Sequence, residues 1–223
     1  MIKFEKAEVW GFQHAIRGMR NPLNSWERSD TKFYPYDHEC EIGKNDLDLM
    51  SRLIRGGQPH RKFLRQIFVS VDITAPLYWW KEFDTYKVGT TANSCSTMHK
   101  IHDKPFEVED FSCEHLFDFT LESEDSSTHY DAMKWLEATI AQLNLARHLY
   151  VNTKNKDYWW LMIQLLPTSY NQKRTVTMTY ENLLNMYEYR KGHKLDEWRQ
   201  FCDWIFTLPH SSVLREGVTN EQS

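Results

Sequence analysis

Cysteine is scarce in this chain, and its four copies, Cys40, Cys95, Cys113 and Cys202, are scattered. Such use is sparse for a disulfide scaffold, and a cytoplasmic location, the default expectation for a chain with no leader-like or membrane-spanning run, would keep the thiols reduced. Long apolar runs are also missing. None approaches the roughly 18 residues that a membrane helix needs, so no membrane partner is expected. The opening MIKFEKAEVWG has no apolar centre of the kind a secretory leader carries. Basic excess is absent too: 27 Lys and Arg against 31 Asp and Glu leave a net charge of -4. That gives no global signal for a nucleic-acid partner. There is no internal repeat and no low-complexity segment.

What remains is 223 residues, enough for one sizeable domain with a real core. Nine Trp, 11 Tyr and 12 Phe supply large buried areas of the kind that fill cores and line pockets or interfaces. A mean hydropathy of -0.66 requires a strongly polar surface. Residues 1–45 are rich in Gly, Pro and polar side chains and read as mostly loop with short helical pieces. The stretch 46–56 reads as a helix ended by Gly56-Gly57. Ile67, Val69, Val71 and Ile73 alternate as a half-buried strand, and Pro76 to Tyr86 follows as a helix. The acidic segment 103–128 ends in an exposed loop or cap. Long helical patterns cover Tyr130–Tyr150, with Met133, Leu136, Ile140, Leu143 and Leu145 near one face, and then 157–166. Arg174–Thr179 reads as a short strand, Tyr180–Arg190 as a helix ended by Gly192, and 195–208 closes the core. Residues 46–208 form that core and 209–223 a tail. The pattern is a helix-rich α+β domain with too few strands for a sandwich.

Several clusters carry possible chemistry. The stretch from Gly89 to Thr97 is dense in Ser, Thr and Asn, side chains that favour caps and turns. Bounded by Lys81, Lys87, His99 and Lys100, it forms either a polar loop or a site for an anionic, hydrogen-bonding ligand. Within it Cys95 is either a small buried residue or a nucleophile. Arg52, Arg55, His60, Arg61, Lys62 and Arg65 form a local basic cluster or a solvated helix face. Arg190, Lys191, His193 and Lys194 gather at a helix C-terminus, where the dipole favours cations. His99 and His102 are weak acid-base candidates. His38 with Cys40, and Cys113 with His115, resemble metal ligand pairs without the usual loop spacing. Trp79, Trp80 and Phe83 serve either as packing or as a stacking surface.

Taken in order, LIRGGQPHRKFLRQIFVSVDITAP, APLYWWKEFDTYKVGTTANSCS, WLMIQLLP and VTMTYENLLNMYEYR resemble the flavin-dependent thymidylate synthases, over roughly residues 46–208. The resemblance implies a helix-rich single domain with a small twisted antiparallel sheet. It implies FAD as cofactor, NADPH and methylenetetrahydrofolate as co-substrates, and dUMP or a related pyrimidine nucleotide as substrate, in a homotetramer. It places Ser96, Arg190 and Lys87 at catalytic positions, and Arg190, Ser96, Asn93, Lys87 and Glu82 around the nucleotide. It places His60, Lys87, Thr90, Tyr86, Asn185, His193 and Lys194 on the flavin side. Departures are specific: Thr85-Tyr86-Lys87 stands where the family has R-H-R, and Ile163 and Met98 stand at arginine positions. Thr179 and Glu181 replace an asparagine and an arginine, and Arg65-Gln66 replaces a Glu-His pair. Two other readings stay open: a non-catalytic nucleotide- or partner-binding protein on the same fold, and an unrelated helix-rich metal or nucleic-acid binder.

Overall fold

The computed structural model describes residues 2–34, 40–122 and 129–217. In chain order the elements are β1 (Lys3–Trp10), α1 (Phe12–Arg20), β2 (Lys32–Phe33), β3 (Cys40–Glu41), α2 (Lys44–Arg55), β4 (Phe68–Pro76), α3 (Leu77–Phe83) and β5 (Thr91–Ser94). There follow α4 (Thr97–Lys100), β6 (Thr120–Glu122), β7 (His129–Asp131), α5 (Ala132–Thr153), α6 (Lys156–Leu165), β8 (Asn171–Thr179), α7 (Tyr180–Arg190) and α8 (Asp196–Ile205). The fold is helix-rich α+β with a small antiparallel sheet. Its four strands are ordered β1-β4-β8-β5, and β2 with β3 and β6 with β7 form separate antiparallel ladders. Among the described residues no helix is long and apolar enough to cross a membrane.

The chain divides into two compact units. The larger comprises Phe4–Ile73, Thr85–Asn93 and Thr175–Ser223; the smaller comprises Met1–Lys3, Thr74–Asp84 and Ser94–Arg174. In the larger unit the alternation read from sequence holds: β4 buries Val69, Val71 and Ile73. Phe12, Ala15, Ile16 and Met19, spaced at i, i+3, i+4 and i+7, give α1 one buried face. Residues 12–45 therefore hold a nine-residue helix, more order than their Gly and Pro content suggests. The helix starts at Gly11, whose φ is +100° and where a Cβ would lie 2.1 Å from the Gln66 carbonyl oxygen. Only glycine fits such an approach. Strand β1 is not legible from alternation, because six of its eight residues are exposed.

A buried ion pair ties α1 to α2. Arg20 Nε donates to Asp46 Oδ1 at 2.7 Å, with side chains 4% and 0% exposed. Asp46 Oδ2 also accepts from the Ser29 and Thr31 hydroxyls at 2.8 and 2.7 Å, and from the backbone N–H groups of Asp30 and Thr31 at 3.1 and 3.0 Å. Burial alone would raise the Asp46 pKa; hydrogen bonds from Thr31, Ser29 and Arg20 outweigh it and hold the carboxyl below its ordinary value.

In the smaller unit α5 buries Leu136, Ile140, Leu143 and Ala146 against Met162 of α6 and against Ile101, Phe106, Phe111 and Cys113. Asp131 caps α5, accepting from the N–H groups of Met133 and Lys134. Two expectations shift here. Tyr130 lies in β7 rather than at the helix start, and Leu145 is exposed. The acidic segment is partly structured: Glu107 and Asp110 cap a 3-10 turn reciprocally, and Lys104 Nζ bonds Asp110 at 2.5 Å. Residues 123–128 lie outside the described residues. Trp79, Trp80 and Phe83 are fully buried and pack edge-on or stacked on one another. The WW pair is therefore core, and its rings are not a stacking surface. Trp80 Nε1 donates to the Gln172 carbonyl at 2.9 Å, which satisfies its polar edge.

Candidate functional site

Helix α7 organises the candidate residues of the larger unit. Thr179 and Asn182 form a reciprocal cap: the Thr179 hydroxyl accepts from Asn182 N–H at 3.3 Å, and Asn182 Oδ1 accepts from Thr179 N–H at 3.0 Å. Asn182 Nδ2 then donates to the Val88 carbonyl at 2.7 Å. One side chain thus starts the helix and pins the loop that carries Lys87. The loop is further closed by the Thr90 hydroxyl, which donates to the Tyr86 carbonyl. Gly89, at φ +77°, completes it; a Cβ there would lie 2.9 Å from Asn182 Oδ1. Replacing Asn182 with alanine is expected to destabilise the protein by about 1–2 kcal/mol. A urea midpoint unchanged from the natural chain would refute that role.

The C-terminal end of α7 meets the same loop. Arg190 Nε donates to the Tyr86 hydroxyl at 2.8 Å. Its guanidinium carbon lies 4.7 Å from the Trp198 ring centre and 5.5 Å from that of Tyr86. The two rings are edge-on at 5.9 Å, and the His193 ring stands 6.3 Å from Trp198. A guanidinium held by two aromatic rings and one hydroxyl has a fixed plane, the form in which arginine recognises oxyanions best. Lys87 and Lys194 are exposed close by in sequence, and His193 Nδ1 accepts from Leu195 N–H at 3.2 Å.

Along another face of α7, Glu181, Asn185 and Glu188 are spaced at i, i+4 and i+7, so they line up. Arg61 reaches all three. Its Nε meets Glu181 Oε1 at 3.2 Å, Nη1 meets Glu188 Oε1 at 3.3 Å, and Nη2 donates to Asn185 Oδ1 at 2.9 Å. Arg61 and Glu181 are 6% and 5% exposed. Burial raises the Glu181 pKa, and Arg61 opposes the rise by charge and hydrogen bond. The basic cluster read from sequence therefore splits. Arg61 is buried in an ion network, whereas Arg52 and Arg55 are exposed and bond carbonyls of their own helix.

The larger unit brings together Tyr86, Lys87, Thr90, Arg190 and His193 through the loop and α7. Asn185 sits on the Arg61 face. His60 is exposed at the head of the 3-10 turn 61–66, Asn93 is exposed on β5, and Lys194 is exposed beyond α7. Ser96 and Glu82 belong to the smaller unit. There Ser96 caps α4, its hydroxyl accepting from His99 N–H at 3.0 Å, and Glu82 lies half-buried in α3. Lys81 is exposed in α3. Arg174, a second phosphate candidate, is engaged: it pairs with Asp84 at 2.7 Å and lies 4.2 Å over Trp80. Ile163 packs against the smaller unit's core, and Met98 is exposed. His102 Nε2 stands 3.8 Å from Asp103 Oδ1, its ring edge-on to Tyr150.

The thiols also sort themselves. Cys95 is exposed, which removes the buried-residue reading of the two given for it, whereas Cys40, Cys113 and Cys202 are buried. Burial raises the pKa of all three buried thiols, Cys202 to about 12. Cys40 lies 3.5 Å from His210 Nε2. His38 lies outside the described residues. Among the described residues no cluster of three or more His, Cys, Asp or Glu side chains could hold a metal ion. Trp198 is a contributor that sequence reasoning did not single out, and Arg61 stood there only as one member of a basic cluster. The i, i+4, i+7 spacing of Glu181, Asn185 and Glu188 is the signal that would have pointed to a cation opposite them.

Comparison with solved structures gives this fold counterparts. Thymidylate synthase X from Helicobacter pylori, crystallised with FAD and dUMP, matches with a TM-score of 0.65 and 16% identity over 98% of this chain and 99% of that one. A flavin-dependent thymidylate synthase structure from the same organism, complexed with FAD and dUMP, matches at 0.63 and 16% over 98% and 99%. A UMP/dUMP methylase, PolB, from Streptomyces cacaoi, bound with 5-Br dUMP, matches at 0.58 and 14% over 93% and 89%. No protein-family model and no curated protein matches the sequence. The chain has the fold of the flavin-dependent thymidylate synthases, as its resemblance implied.

Proposed function

We propose that this protein is a divergent enzyme of the thymidylate-synthase X type. It transfers a one-carbon unit from methylenetetrahydrofolate to C5 of dUMP or a related pyrimidine nucleotide, with NADPH as reductant through FAD. The observation that carries this reading is the Tyr86–Arg190–Trp198 arrangement in a chain of this fold. Arg190, held in one plane, is suited to a nucleotide phosphate, with Lys87 adding a mobile point charge. Within the larger unit, Asn93 orients the base through an exposed amide.

The donor set of the larger unit also fits a flavin dinucleotide. Lys87, His193, Lys194 and His60 offer charge or N–H donors for a pyrophosphate, Thr90 holds the loop beside them with its O–H on the Tyr86 carbonyl, and Asn185 and Tyr86 offer an amide and an aromatic face. The flavin supplies the redox chemistry, and the chain contributes binding, orientation and electrostatics. A homotetramer is part of the proposal, testable by light scattering.

A second reading is a nucleotide-binding protein of the same fold without turnover. It is favoured by Thr85-Tyr86-Lys87 standing in place of R-H-R. An absorbance spectrum of the purified protein, before and after FAD addition and desalting, separates the two. Retained absorption near 450 nm is expected, followed by tritium release from C5-labelled dUMP. A protein that stays colourless in excess FAD defeats the enzyme reading. Arg190→Ala is expected to weaken dUMP about 10- to 100-fold, the worth of a charge-assisted phosphate contact. Unchanged affinity by calorimetry would remove Arg190 from the site.

A further inference from the structure

A guanidinium carries only donors. The atom of Asn185 that lies 2.9 Å from Arg61 Nη2 is therefore its amide oxygen, since the opposite flip would set an NH2 group against a cation. Arg61 has little freedom to release that oxygen. It is 6% exposed, and its Nε and Nη1 are engaged by Glu181 and Glu188. The oxygen of Asn185 is thus committed, which leaves the NH2 group as the part of this half-buried side chain that can meet a ligand.

We propose that Arg61 is a positioning residue that fixes Asn185 as a dedicated N–H donor, so that the ligand group meeting it is an acceptor, a ring carbonyl. This rests on the flavin and pyrimidine site proposed above. Isoalloxazine and uracil rings share that carbonyl chemistry, and titrations with FAD alone and with dUMP alone tell the two apart. Four residues from two elements set the polarity of the contact: Arg61 from the 3-10 turn, and Glu181, Asn185 and Glu188 from α7. An amino group, which donates, meets a donor there and is rejected.

The test compares the natural chain with N185D, N185L and R61K, titrated with FAD by flavin fluorescence and with dUMP by calorimetry. A carboxylate at 185 still accepts from Arg61 but adds an anion beside Glu181 and Glu188, so N185D is expected to lower the thermal midpoint slightly and to lose at least about tenfold in affinity for the contacted ligand. N185L, which removes the donors without adding charge, is expected to lose a similar factor. R61K keeps the positive charge but not the fork; it is expected to weaken the same ligand and to move the Asn185 side-chain amide resonance even without ligand. In the natural chain that resonance shifts when the contacted ligand is added.

Natural chain that binds, with N185L and R61K binding equally well, overturns the inference alone. A loss confined to N185D is charge repulsion and also overturns it. A natural chain that binds neither FAD nor dUMP overturns the functional reading and this inference with it.

Discussion

Replacing Arg61 with methionine is expected to destabilise the protein by about 3–5 kcal/mol, the usual cost of removing one partner of a buried ion pair. The reason is what the substitution leaves behind. Glu181 is 5% exposed, and the removed guanidinium is the group that offsets its desolvation. Glu188 and Asn185 lose a donor in the same step. Methionine fills the volume but satisfies none of the three acceptors.

The sign of the pH dependence follows from Glu181. Its folded-state pKa is raised by burial, so the folded chain binds its proton more tightly than the unfolded chain does. Stability linked to that proton is fully present below the unfolded pKa and is lost as pH rises through the folded one. Without Arg61 the rise is larger. The deficit of the methionine variant is therefore greatest at neutral pH and shrinks as pH falls toward the carboxylate range. Urea unfolding at several pH values from neutral down to about 5 measures it. A deficit independent of pH would mean that Glu181 does not carry the effect.

Asp46→Asn is expected to cost a comparable amount, about 3–5 kcal/mol. Arg20 is 3% exposed and would lose the charge opposite it. The backbone N–H groups of Asp30 and Thr31 would face an amide in place of a carboxylate oxygen. The pH behaviour has the opposite sign to that of Glu181. The folded-state pKa of Asp46 is lowered, so its contribution is present above the unfolded value and is lost as pH falls through the folded one. The natural chain is expected to lose stability steeply below about pH 4, and the asparagine variant to lack that part of the slope. Denaturation curves of equal steepness in acid for both proteins would refute the assignment.

How much of this could be read from residues alone differs between elements. β4 and α7 announce themselves, because period-two alternation and a capped helical segment are local properties. The long α5 is also legible, although its register was off at Leu145, which sits exposed on a helix whose buried face runs Leu136, Ile140, Leu143, Ala146. β1 and β5 were not legible. Their side chains are mostly exposed, so pairing with neighbours far along the chain, and not hydrophobic pattern, makes them strands.

The site divides in the same way. The resemblance points to Arg190, Tyr86 and Lys87, and of these Arg190 and Tyr86 are joined by a hydrogen bond. The role of Arg61 could not be read, because its three partners lie 120 to 127 residues away. Nor could the Asn182 bond to Val88, 94 residues apart. Trp79 and Trp80 were ambiguous in sequence because a ring that packs and a ring that stacks on a ligand have the same composition; only their complete burial decides it.

Four of the five borders between the two units fall inside strands, at Lys3–Phe4 in β1, Ile73–Thr74 in β4, Asn93–Ser94 in β5 and Arg174–Thr175 in β8; the fifth, Asp84–Thr85, follows α3. No continuous stretch of coding sequence specifies either unit. A truncation at any border within the chain's interior removes parts of both, and an insertion at the borders in β4, β5 or β8 interrupts a hydrogen-bonded strand rather than a surface loop. Such a chain cannot be dissected into separately expressed modules or have one half exchanged with a relative by a single splice.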